Sequence, residues 1–202
     1  MNTISDILPA MSLLAFVTAF TPGPNNFLLA SSGAQFGMRQ SVWHLIGIRI
    51  GIIGLLFLCA SGVAVALQQH PSWYHALRYL GLSYMLWLVA KLLFINNLEN
   101  KSNSTKPLSL VQASLFQIGN IKAWMACLAL ISGYTLPNHY WYSVLVIVAV
   151  FTLFGLFANA SWALMGRYIS RSLNTPIKQR VFNITLGIMT LVSILPILGG
   201  SL

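Results

Sequence analysis

Acidic residues are almost missing from this chain. Its 202 residues include two, Asp6 and Glu99, against eleven lysines and arginines. Charged residues of both signs together make up 6%, where a soluble globular domain carries roughly 25%. That scarcity excludes an ordinary water-soluble domain. It also leaves no carboxylate cluster to cage a hard cation. Cysteine is nearly as rare. Cys59 and Cys127 both lie in apolar stretches, so they form neither a secreted disulfide framework nor a soft-metal thiolate cluster. No Walker motif, metal-ligand cluster or catalytic constellation is present, so no cofactor, ATP hydrolysis or enzymatic reaction is expected. No Lys or Arg precedes the first apolar run. A cleavable secretory signal needs that basic region, so the first span is expected to stay in the protein.

What the chain has is apolar length, at 57% hydrophobic residues. Apolar runs of about 20 residues suit a transmembrane helix. Six are expected, at 7–32, 42–67, 76–95, 110–133, 140–165 and 181–198. The fold class is therefore all-α, a polytopic membrane protein in which residues 1–202 form one transmembrane domain in contact with the lipid bilayer. The formal charge of +9 does not indicate nucleic acid as a partner, because the basic residues flank apolar spans and no basic-aromatic patch accompanies them. They read as topology signals and anionic-lipid contacts. Arg39 falls in the first connection, Lys101 and Lys106 in the third, and Arg167, Arg171, Lys178 and Arg180 in the fifth; the second has only Arg78 and the fourth none. By the positive-inside rule the odd-numbered connections are cytoplasmic and both termini periplasmic. Trp73, Tyr74, Tyr140, Trp141 and Tyr142 fall where an outer aromatic belt belongs.

The polar connection at 96–107 divides the chain into halves of about 7–95 and 110–198, with three spans each. Three is odd, so a structural duplication would have to be inverted. Each half opens on an interrupted span, at Thr21–Asn26 and at Gln117–Lys122, the pattern of inverted repeats that meet at the bilayer midplane.

The first interruption is the most informative. Pro22 and Pro24 lack backbone donors, and each disfavours helix in the residue before it. Gly23 adds freedom. Backbone groups freed inside hydrocarbon survive only within protein or beside a watery cavity. Asn25 and Asn26 can supply the missing hydrogen bonds or offer them to a ligand. Asn120, after Gly119, has the same two readings. Counting at 1.5 Å per residue puts Asn120 about 15 Å, and Arg49 and Asn159 about 10 Å, from the cytoplasmic ends of their spans. Four spans thus offer polar groups at similar depth. Lys122 at helix centre costs about 2.5–3.5 kcal/mol on insertion scales, so a cavity suits it better than lipid. Arg49 either offers a carboxylate-matching fork or snorkels to the inner interface. Gln117 and Asn159 could serve as interhelical glue. Tyr84 packs in the third span or reaches the cavity, and His44 reads as interfacial sooner than as a proton relay. Gly47, Gly51, Gly54 and Gly62 read as close-packing positions. Exposed helix N-termini and a cation suit a carboxylate, while freed carbonyls and Asn oxygens suit an ammonium. The expected ligand is a zwitterion.

The run Thr21-Pro-Gly-Pro-Asn-Asn-Phe-Leu-Leu-Ala-Ser-Ser, with Gly37, Gly47 and Gly51, with Gly81, Tyr84 and Trp87, and with Gln117, Asn120 and Lys122, resembles the LysE/RhtB family of bacterial amino-acid exporters. The resemblance covers essentially the whole chain. Further likeness at Phe36–Ser41, Leu58–Ala60 and Asn159–Gly166 points to members that handle cysteine and O-acetylserine. It implies an inner-membrane secondary transporter that exports small neutral amino acids of that kind. The substrate-binding residues it and the depth argument nominate are Pro22, Gly23, Pro24, Asn25, Asn26, Arg49, Tyr84, Gln117, Asn120, Lys122 and Asn159. Two departures stand out. Many members carry an acidic residue in span two where this chain has Ile52, and Arg49 stands where the resembled exporters have a small polar residue. A homo-oligomer is compatible with the sequence. An alternative is an intramembrane thiol or electron relay through Cys59 and Cys127.

Overall fold

The computed structural model describes residues 3–63, 66, 69–93 and 106–199. Among them are seven α-helices and no strands: α1 (Ile4–Phe20), α2 (Pro24–Ala60), α3 (Pro71–Leu93), α4 (Leu110–Gly119), α5 (Ile121–Tyr134), α6 (Tyr140–Ser170) and α7 (Pro176–Gly199), with a 3-10 turn at Pro137–His139 before α6. The expected connection at 96–107 and the end of the third span lie largely outside the described residues. Helices α2 and α6 are long and apolar enough to cross a membrane, and so are α4 and α5 taken as one span bent by 72°.

Helix α2 runs for 37 residues but is not one rod. Gly37 has φ 76° and ψ 170°, a region open essentially to glycine alone. The Ser32 and Ser41 hydroxyls stand 2.7 Å apart, whereas nine residues of straight helix would separate them by about 13 Å. The chain therefore folds back at Gly37 into two limbs, 24–36 and 38–60. The first connection, expected as a loop between residues 32 and 42, is reduced to this one glycine with helix on both sides. The second limb ends at Ala60, short of the expected residue 67. The fifth span runs on to Ser170.

Small residues set how the limbs pack. A side chain on Gly33 would strike the Ala163 backbone, and one on Gly166 the Ala30 backbone, so the first limb lies directly on α6. Gly47 and Gly51 meet Leu110, Ser114 and Gln117 in the same way, which seats the second limb on α4 and lets the Ser114 hydroxyl donate to the Gly47 carbonyl at 2.9 Å. Gly81 and Gly119 bring α3 and α4 into backbone contact. The sequence reading of Gly47 and Gly51 as packing positions matches this; Gly54 and Gly62 face open space instead. A core of Leu29, Ile48, Leu55, Leu56, Leu130 and Ile147, with Met11 and Ala15 from α1, fills the middle. The outer surface is also apolar: Leu13, Leu80, Phe157 and Ile177 are each more than 60% exposed. A bundle apolar on both faces belongs in lipid.

Candidate functional site

The first break lies between α1 and α2. Thr21 closes α1 in extended geometry, and Pro24 opens α2 after Gly23. The freed carbonyls at the end of α1 find side-chain donors. The Asn26 amide nitrogen donates to the Ala19 and Thr21 carbonyls, both at 3.0 Å. The Lys122 ammonium donates to the Thr21 carbonyl at 2.7 Å and to that of Pro22 at 3.0 Å. Gly23 is what lets Lys122 reach them, since a Cβ there would stand 2.8 Å from the Lys122 nitrogen.

The second break lies at Asn120, which closes α4 and opens α5 with φ −87° and ψ 90°. Here the Trp124 indole donates to the Ile118 carbonyl at 2.8 Å. Asn25 and Gln117 exchange amide hydrogen bonds of 2.9 and 3.0 Å, and Asn120 donates to the same Gln117 oxygen at 3.2 Å. The two breaks therefore hold each other, through Asn25 to Gln117 and through Lys122 to Thr21 and Pro22. Asn159 of α6 joins by donating to the Asn26 oxygen at 3.1 Å.

Between the breaks lies a pocket of about 430 Å³, a volume that includes the open solvent at its mouth. Thr18 and Ala19 line it from α1, Gly23 to Asn26 from the first break, Arg49 and Ile52 from the second limb of α2, Asn120, Lys122, Ala123 and Ala126 from the second break and α5, and Phe151 and Asn159 from α6. Eight of the eleven residues nominated from sequence are on this wall. Gln117 stands behind it, fully buried. Pro22 contributes the carbonyl that Lys122 takes. Tyr84 lies apart, stacked on Trp87 and tilted against Phe116 with ring centroids 5.6 and 5.8 Å away. His44, read as interfacial, is 2% exposed within the bundle.

The cavity is electropositive. Helices α2 and α5 both begin on its wall, with their N-termini uncapped by side chains, which places partial positive charge there. Arg49 and Lys122 add two cations. Asp6 sits in the first turn of α1, twelve residues from Thr18, and Ile52 gives the wall an apolar side chain. Arg49 is 7% exposed, and its Nε and Nη1 have no hydrogen-bond partner. Sequence reasoning missed the residue that admits it. Gly155 of α6 lies against the guanidinium, and a side chain there would overlap Nη1. Nothing in the local sequence of residue 155 links it to residue 49.

Cys59 and Cys127 are free and buried. Both belong to the hydrophobic core and neither lines the cavity, so nothing in the geometry favours a thiol relay.

The LysE type translocator family matches residues 16–195. The chain is 34% identical over 167 residues to the cysteine/O-acetylserine efflux protein of Escherichia coli O1:K1, covering 82% of this chain and 85% of that one. It is 33% identical over the same shares to the proteins of that name from Escherichia coli K12 and Shigella flexneri serotype 5b. No solved structure matches. A helical membrane bundle built around two broken helices, matched over nearly its whole length, is a transporter and not an enzyme: the chain belongs to the LysE type translocator family.

Proposed function

We propose that this protein is a secondary transporter that exports small neutral amino acids, cysteine, O-acetylserine or others of that size, across the bacterial inner membrane. The observation that carries the reading is the open pocket where the two broken helices meet, lined by Asn25, Asn26, Arg49, Asn120, Lys122 and Asn159. The efflux function of its relatives supports the same reading. Six spans, with two inverted halves at about 7–95 and 110–198 and both termini periplasmic, are the topology we assign to it. It accounts for one break in each half, and for each break satisfying the other.

The test is uptake and counterflow in proteoliposomes holding the purified full chain, with a panel of labelled amino acids and with or without a pH gradient. Cysteine, O-acetylserine and serine are expected to exchange, and lysine and glutamate to exchange at least tenfold more slowly. A panel in which no small neutral amino acid moves faster than in protein-free vesicles overturns the reading. Stimulation by the pH gradient would assign the proton as coupling ion. A rate indifferent to it would assign export down the substrate's own gradient.

A further inference from the structure

The amides around the cavity are oriented by backbone carbonyls, and this fixes which of their atoms are left over. A carbonyl only accepts. The Asn26 side chain must therefore turn its nitrogen toward Ala19 and Thr21, which points its oxygen at Asn159. Asn159 must meet that oxygen with its own nitrogen, and its Oδ1 is left without a partner. The second break repeats the logic. The Gln117 nitrogen donates to the Ala113 carbonyl at 2.9 Å, so the Gln117 oxygen faces Asn120, which donates to it. The Asn120 Oδ1 is likewise left without a partner. Asn120 and Asn159 both line the cavity, and each carries a buried oxygen left over by a chain of donors that ends on a backbone carbonyl.

The third buried group is Arg49. It offers unpartnered donors on the same cavity wall and has no acidic partner among the described residues. Buried cations and buried amide oxygens persist when something completes them. Here the missing pieces are one anion with two acceptor atoms and one cation with several donors.

We propose that Arg49 grips the substrate carboxylate while Asn120 Oδ1 and Asn159 Oδ1 receive its ammonium, so that the cavity admits α-amino acids in one orientation. The assignment rests on the transport reading above and adds the poles of the site. It makes Gly155 a positioning residue, because it clears the space in which the guanidinium lies. It also explains how a chain with no acidic residue in its cavity can recognise an ammonium group, since two neutral oxygens do the work. Lys122 is already engaged with Thr21 and Pro22, so its role is to hold the first break.

Three thiols that differ by one group each test this: cysteine, cysteamine, which lacks the carboxylate, and 3-mercaptopropionate, which lacks the amine. Each is added under reductant to the purified full chain in detergent, and ligand-induced shifts in Tm are read beside competition for amino-acid counterflow. The wild type is expected to bind cysteine at least tenfold tighter than either analogue. Arg49→Gln should weaken cysteine at least tenfold and bring cysteine and cysteamine within about threefold of each other. Arg49→Lys keeps the charge and loses the fork, and is expected to fall between; it serves if the glutamine variant does not fold. Asn159→Asp should improve cysteamine relative to 3-mercaptopropionate by at least tenfold. Equal affinity of the wild type for cysteine and cysteamine, or unchanged discrimination in both Arg49 variants, overturns the assignment while leaving transport intact. An Arg49-dependent shift with 3-mercaptopropionate in a protein that moves no amino acid keeps the anion pole and removes the transport reading instead.

Discussion

The two breaks are built by opposite means. The first is written into the covalent chain: Pro22 and Pro24 remove donors and disfavour helix in the residues before them. The second contains no proline. Gly119 and Asn120 are weak helix formers, and Gly81 of α3 lies backbone to backbone against Gly119. The first break is imposed by proline and repaired both locally, by Asn26, and from a distance, by Lys122. The second forms without proline, lies against α3 and is repaired locally, by Trp124. A helix can be opened by chemistry or by packing, and the freed carbonyls need partners either way.

The sharpest way to break this comparison is the same small change at each interruption. Gly119→Ala sets a methyl 2.7 Å from the Gly81 Cα, backbone against which nothing flexible can yield. Overpacking of this kind costs about 1–3 kcal/mol and sometimes more, so the variant should lose about 3 kcal/mol in a denaturant titration of the micelle-embedded protein, and most of its transport. Lys122→Met comes next. It removes two hydrogen bonds from a charged donor, each worth about 1.5–3 kcal/mol when buried. Because Lys122 is half-buried, the expected loss is about 2 kcal/mol, with counterflow down at least a hundredfold. Asn25→Ala should cost about 1–2 kcal/mol, because it strips one partner from the buried Gln117 amide. It should abolish export at unchanged expression, and full export in that variant would remove Asn25 from the site. The smallest effect on stability belongs to Gly23→Ala. Its backbone is extended, with φ 178°, which alanine adopts freely, and the new methyl meets only the mobile end of Lys122. We expect a loss below about 1 kcal/mol with a clear fall in transport. If Gly23→Ala costs more than Gly119→Ala in the same titration, the contrast between the two breaks is wrong.

The same contrast decides what could be read in advance. The first break was legible because prolines act on the backbone in any context, and the amides after them had to serve it or a ligand. The second was visible only as a polar interruption at Gln117–Lys122, since the packing of Gly81 on Gly119 joins residues that no local pattern relates. The reversal near Gly37 was legible as a connection, because Ser31, Ser32, Gln35, Arg39 and Gln40 interrupt the apolar run. That it narrows to one glycine with helix on both sides was not, because a single glycine is a weak signal. Depth counting brought Asn25, Arg49, Asn120 and Asn159 to similar depth, and they do share a wall, together with Lys122. It could not give the direction of each amide, which depends on which carbonyls lie within reach, nor could it place Tyr84, which stacks elsewhere. His44 was read as interfacial from its position near a span end, but burial depends on which neighbours cover it.

The contact between Arg49 and Gly155 also makes the place of the guanidinium depend on a residue of another helix. Any side chain at 155 would need volume that the guanidinium now fills. The guanidinium is the far end of a flexible side chain, so it would swing aside while the helices stay packed. A substitution at 155 would therefore reshape the pocket from a position that does not line it.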